Sequence, residues 1–445
     1  MGDSQRFFLF IGAGNWNAAL SGLKASGIPY RMKMLESGPD NWATIEQIIN
    51  DSALAGVAVK LTSSIFNMIC SPEYKEHAER IFSALGKVPN VVFVHQNIFL
   101  GKEITPIVYP ANDEGYFVYL QHFFTPPNRE VRDQVRALLE ANRINMVPYE
   151  TNAEMAVLAA AFVEDNQRHL LFRIYVPSGR LYAAEADKLL ALFQDWLTQT
   201  GRFRVRQDGY RTAAGQVYEF YGDERATNSE LSRSFEDFSL FLDQCIEAPE
   251  AATETLSASG LNRSAAFTLV SRYGREARRL QLDLKHEREA RMLQLKQNME
   301  SELLDAMSPP LARELESVIE NWVPKATILA PLDSTASVPV SGATTINISQ
   351  QIIQSVQDMT IQNIYGTADL PDEARALLKL VGEFGGDEAG SLESAVHEVE
   401  DADARETDRL NARQRLKGFL IRLGERAEET AVNALMTYLE NKAGL

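Results

Sequence analysis

Residues 6–17 read RFFLFIGAGNWN, an apolar run that stops at two glycines and then turns polar. A buried strand closing in a tight glycine turn, with a helix behind it, is the usual opening of a nucleotide-binding α/β domain. Working outward, strand-like segments fall at 7–11, 30–35, 55–61, 90–95, 116–120 and 144–149. Helix-like segments separate or follow them at 18–26, 42–49, 73–85, 128–142 and 153–163. That alternation predicts a doubly wound, mostly parallel sheet in a Rossmann-like domain spanning 1–166.

In such sheets a ligand lies in the crevice beyond the carboxyl ends of the strands. The residues that leave each strand therefore name a rim. They are Gly12, Gly14, Asn15 and Asn17 after the first strand and Glu36 after the second. Lys60, Thr62 and Ser63 stand at the end of the third, His95, Gln96 and Asn97 at the end of the fourth, and Glu150 after the last. The expected ligand-binding set is Gly12, Gly14, Asn15, Asn17, Lys60, Thr62, Ser63, Gln96 and Asn97. Glu36, His95 and Glu150 are the candidates for acid–base chemistry, because a strand-end histidine titrates near neutrality and a partly buried carboxyl can be raised towards it. The competing reading makes His95 a neutral core-edge histidine and the two glutamates solvated loop residues.

The glycine turn is not a dinucleotide fingerprint, since Asn17 stands where the third glycine belongs and bulky Trp16 precedes it. No GxxxxGK[ST], GxSxG or HExxH occurs, which argues against P-loop NTPases, α/β-hydrolases and zincins. The two cysteines are distant and lack metal-ligand spacing, so neither a disulfide framework nor a cysteine metal site is expected. A formal charge of −17 disfavours nucleic-acid binding by the surface as a whole. No apolar run approaches the roughly 18 residues needed to cross a bilayer. The segment before 6–17 lacks a basic region and a cleavage signal, so the expected location is cytoplasmic.

Beyond residue 166 the pattern changes. Segment 167–224 reads as a β-α-β-β module, with Arg173, Arg204, Arg206 and Arg211 interleaved with aromatics. Such a face can bind single-stranded nucleic acid, or it can be the solvated side of an ordinary sheet. Segment 225–330 is helical. A long helix from Arg275 carries a basic first half over 275–296, and a hairpin turning at Ser308-Pro309-Pro310, with 311–322 as its return arm, is preferred to a nucleic-acid contact. Between 334 and 368 the only charged residue is Asp358, and TTINIS, QIIQSV and MTIQNI alternate apolar with amide or hydroxyl side chains. Strands of that kind need partners for their edges, so 331–368 is expected to join copies of the chain into a homo-oligomer rather than act as a linker. Residues 369–445 complete the chain as a helical bundle, suited to partner binding, with a solvated acidic face between Glu383 and Asp408.

A Rossmann-like front end, the low-charge INIS…TIQNI stretch within 344–365 and a terminal helical bundle together resemble modular bacterial conflict-system proteins, including anti-phage effectors. Some of these carry Toll/interleukin-receptor-like domains that cleave NAD, and residues 6–150 are compatible with that fold. The resemblance implies a cytoplasmic, homo-oligomeric defence or signalling protein whose N-terminal domain binds a nucleotide or nucleotide-derived signal. Two alternatives stay open, a nucleotide- or NAD-hydrolysing effector enzyme and a non-catalytic oligomeric scaffold. The cofactor is left as unknown, a nucleotide or NAD being the chemistry the rim would suit.

Overall fold

The computed structural model describes residues 6–103, 125–181, 183–201, 204–223, 228–302, 323, 370–423 and 429–442. The expected strand at 116–120, the turn at 308–310 with its return arm, and the assembly segment 331–368 lie outside the described residues. The chain divides into two compact units, one made of Met1–Arg168 with Arg405–Leu445 and the other of His169–Ala404.

The first unit is the α/β domain. Its strands are β1 (Phe7–Ile11), β2 (Tyr30–Lys33), β3 (Leu54–Leu61), β4 (Asn90–His95) and β5 (Met146–Tyr149). They form one parallel sheet in the order β2-β1-β3-β4-β5. β1 is buried throughout, and β3 and β4 nearly so, as expected of a parallel sheet covered on both faces.

The helices are α1 (Asn17–Ala25), α2 (Pro39–Ile49), α3 (Ser63–Cys70), α4 (Lys75–Leu85), α5 (Gln96–Leu100), α6 (Arg129–Ala141) and α7 (Asn152–Gln167). Because the chain steps one way from β1 to β2 and the other way thereafter, right-handed crossovers send α1 to one face and α2, α4 and α6 to the other. α7 joins α1, and Phe8, Phe10, Ala58 and Phe93 on that side pack with Leu23, Met155 and Leu158. Two helices were not legible as such. α3 and α5 are short, start immediately after β3 and β4, and each is capped by its strand's exit residue, Thr62 and His95.

Residues 405–445 contribute α14 (Glu406–Leu423) and α15 (Glu429–Asn441) to this same unit. α14 packs on β5 and α7, and Leu410 belongs to the sheet's own apolar cluster. The C-terminal helical bundle expected from the sequence is present, with its last two helices assigned to this unit.

In the second unit, β6 (Leu170–Pro177), β7 (Arg206–Arg211) and β8 (Gly215–Tyr221) form an antiparallel sheet in the order β6-β8-β7. α8 (Ala183–Thr200) presents Leu189, Phe193 and Trp196 to a core shared with α9 (Asn228–Glu247), α10 (Pro249–Ala258) and α11 (Arg263–Glu302). α11 begins earlier than the sequence suggests and passes straight through Gly274. A Cβ there would lie 2.8 Å from the Cys245 carbonyl oxygen, so this glycine serves the close approach of α9 rather than a break.

The remaining helices are α12 (Asp372–Phe384) and α13 (Ala389–Glu400), the latter packed on β6. The acidic stretch read as solvated is corrected here, since Glu393, Glu398 and Asp401 are buried. Arg173 bridges Glu398 and Glu219, Arg180 lies 3.6 Å from Glu393, and the Tyr175 hydroxyl donates to Asp401 at 2.8 Å. Arg173 is thus held within the unit rather than offered to a nucleic acid. Among the described residues no helix is long and apolar enough to cross a membrane.

Candidate site at the strand ends

The sheet order reverses direction at β1/β3, which makes the exits of these two strands the expected ligand crevice. The glycine turn at the β1 exit is shaped by the protein itself. Gly12 has φ +94°, and a Cβ on it would sit 2.7 Å from the Lys60 carbonyl oxygen. Its N–H donates to the Lys33 carbonyl at 2.8 Å, and the Gly14 N–H donates to the Gly12 carbonyl at 3.0 Å.

Trp16 folds beneath the turn. Its indole N–H donates to the Gly12 carbonyl at 3.0 Å, its ring contacts Phe10 and Phe93, and a Cβ on Gly14 would meet it at 2.4 Å. Both glycines are therefore accounted for by packing, and their N–H groups bond to protein carbonyls. Asn15 is half-buried and Asn17, the first residue of α1, is exposed.

The exits of β2 and β3 come together. The Glu36 carboxylate accepts from the Thr62 hydroxyl at 2.8 Å and from the Ser64 hydroxyl at 3.0 Å. Trp42 fixes the approach to Glu36 by donating to the Leu35 carbonyl at 2.8 Å. Thr62 also caps α3 through the Ile65 N–H, so its hydroxyl is placed by the helix it starts. Ser63 Oγ is buried with no hydrogen-bond partner among the described residues. The Lys60 ammonium lies 5.7 Å from the centre of the Tyr149 ring. Burial pushes its pKa below the ordinary lysine value, and Glu36 opposes that shift. Glu36, Thr62 and Ser64 form one exposed to half-buried polar group at the β2 and β3 exits, and Lys60 is half-buried.

The exits of β4 and β5 are built differently. His95 is buried and edge-on to Tyr149, with ring centres 5.3 Å apart, and its Nδ1 accepts from the Asn97 N–H at 3.2 Å. Gln96 is only 3% exposed. Its carbonyl oxygen accepts from Lys417 Nζ at 3.0 Å, while its amide donates to Glu440 Oε1 at 3.0 Å. Lys417, on α14, is completely buried and lies 3.6 Å from the Glu150 carboxylate. One turn earlier on the same helix, Arg413 pairs with buried Glu154 at 2.6 Å. Glu154 meanwhile closes a capping box with Thr151 at the start of α7.

Glu36 thus groups with Thr62 and Ser64, Gln96 and Glu150 are linked through Lys417, and His95 and Lys60 both pack against Tyr149. Sequence reasoning missed Lys417, Arg413 and Glu440, more than 240 residues from the strand exits they touch. The one sequence signal was the spacing of Arg413 and Lys417 by four, which places two cations one turn apart on one face of the helix. Among the described residues no group of three or more His, Cys, Asp or Glu could hold a metal ion. Comparisons with protein-family models, with curated proteins and with solved structures return no match for this chain.

Proposed function

We propose that the α/β domain binds a nucleotide or nucleotide-derived signal at the β1/β3 switch point, and that the chain is a homo-oligomeric signalling or defence protein in the sense its segment order implies. The observation that carries the reading is the Glu36–Thr62–Ser64 hydrogen-bonded group, with the Lys60 ammonium within the electrostatic reach of Glu36. A carboxylate at the end of the second strand of such a domain is suited to accept hydrogen bonds from ribose hydroxyls. Here Thr62 and Ser64 already supply hydroxyl donors to Glu36, the bonds a sugar diol would replace. Lys60 and the N-terminal turn of α3 offer positive charge for a phosphate.

Binding is favoured over hydrolysis by the state of the other candidates. His95 is buried and commits Nδ1 to capping α5, and Glu150 faces Lys417 rather than Glu36. The test is equilibrium binding of AMP, ADP and NAD to the full chain, with mass spectrometry of each nucleotide before and after. Retention without conversion is the expected result, with Glu36→Gln and Lys60→Met each weakening it about tenfold, or 1.4 kcal/mol. Conversion of any nucleotide would replace the binding reading with the effector enzyme, and retention unaffected by either substitution would move the site elsewhere.

A further inference from the structure

The second unit carries a surface that the strand-end reading does not use. α11 has 40 residues, about 60 Å at a rise of 1.5 Å per residue. Its buried side chains, among them Ala266, Tyr273, Leu280 and Leu284, belong to the unit's core. Elsewhere on its circumference Phe267, Leu282 and Leu293 are 62%, 53% and 58% exposed. At about 100° of turn per residue these three share an arc of about 80°. The same arc takes in Arg275, Arg278 and Lys285, all exposed.

The arc is set apart in charge as well as in exposure. Half-buried Lys296 adds a fourth cation, and the one carboxylate on the arc is Glu289, 3.8 Å from Lys285. The neighbouring carboxylates Glu276, Asp283 and Glu287 lie on the opposite flank, half-buried, and face Arg279, Lys188 and Arg291. Arg275 and Arg278 make no ion pair among the described residues. A chain with a formal charge of −17 thus exposes a basic strip, and half of the exposed large apolar side chains among the described residues stand on it.

We infer that this face of α11 docks on an anionic lipid surface. A partner helix would need an apolar side chain every three or four residues along the contact, and between Phe267 and Leu282 the arc offers only Ser271, Arg275 and Arg278. A nucleic acid would engage the cations, but Leu282 and Leu293 have no ring on which a base can stack. A bilayer interface takes both kinds of side chain. The apolar ones enter the acyl boundary, while the Arg and Lys stems lie along it and carry their charges to the lipid phosphates. The chain's net charge opposes the approach, but at physiological salt screening beyond about 8 Å leaves the strip itself to decide. Attachment of this kind needs no spanning helix, and it is independent of the strand-end reading.

The test is cosedimentation of the full chain with vesicles of phosphatidylcholine alone and of phosphatidylcholine with about 30% phosphatidylserine, at about 0.15 M salt. One variant combines Arg275→Glu with Arg278→Glu, and a second combines Phe267→Ser with Leu282→Ser. All four side chains are exposed, so the fold should hold, and the melting temperature checks it. Met32→Ser, at an exposed apolar residue of the other unit, is the control. The expected result is binding to the anionic vesicles alone, weakened about tenfold or more by either double variant and unchanged by Met32→Ser. Failure to bind the anionic vesicles, or binding that both double variants keep, would overturn the inference. Binding of single-stranded DNA that the arginine variant abolishes, with the vesicles left unbound, would overturn it too and give the face to a nucleic acid.

Discussion

The two halves of the strand-end rim occupy equivalent positions in one sheet and are built from different chemistry. On the β1–β3 side, Glu36, Thr62 and Ser64 hydrogen-bond to one another within 30 residues of sequence, and the group is open to water. On the β4–β5 side, Gln96, Glu150 and Glu154 meet Lys417, Arg413 and Glu440, and most of these side chains are buried. Exposed contacts cost little to exchange for a ligand's, because water already competes for them. Buried charged pairs are expensive to break, because the partner left behind has no water to turn to. Topology marks both halves as crevice, but only the first holds polar contacts that water already shares.

The largest effect should come from the β4–β5 side. Arg413→Met leaves Glu154 as a buried carboxylate without its guanidinium, at an expected cost of about 3–5 kcal/mol in denaturant unfolding. A loss below about 1 kcal/mol would mean that the pair is hydrated and that the two halves do not differ as described. Lys417→Met should cost less, since the Glu150 side chain is 46% exposed and can rehydrate.

At the junction of the halves, Gly12→Ala forces a side chain into φ +94° and against the Lys60 carbonyl. It should lower stability by about 1–3 kcal/mol, read as a drop in melting temperature. An unchanged melting temperature would show that the turn relaxes freely, and that the open half is less fixed than its geometry implies.

On the open half, Thr62→Ala removes both the cap of α3 and a donor to Glu36. About 1 kcal/mol or less of stability is expected to go with it, and a larger share of nucleotide affinity than of stability. The reverse proportion would make Thr62 a purely structural residue.

The smallest effect is a pH signature of Lys417. Burial and Arg413 lower the Lys417 pKa from its ordinary value of 10.5, against Glu150, Glu154 and Glu440, which raise it. With the folded value depressed, the unfolded chain holds the proton to higher pH. Stability therefore rises with pH between the folded value and 10.5, and falls as pH drops through the folded value. Wild type should gain on Lys417→Met as pH is raised towards 10.5. A difference that is flat in pH would place Lys417 in water.

Much of the α/β domain was legible in the chain itself. Residues 7–11, 55–61 and 90–95 are short apolar runs that only a doubly covered sheet can bury, and the longer helices between them carry apolar stripes. Glu36, Lys60 and Thr62 could be named because a strand's exit residue is fixed by where the apolar run stops. What sequence could not assign was the environment of a polar residue. Glu393, Glu398 and Asp401 look solvated until Arg180, Arg173 and Tyr175 are found beside them. Gln96 looks like open rim until Lys417 and Glu440 close over it. Hydrophobic periodicity is a property of neighbours along the chain, so the sequence alone determined the strands of the parallel sheet, its longer helices and where each strand ends. The desolvation of a charge depends on which distant segment covers it, so only the tertiary structure decided which of the strand-end residues are buried.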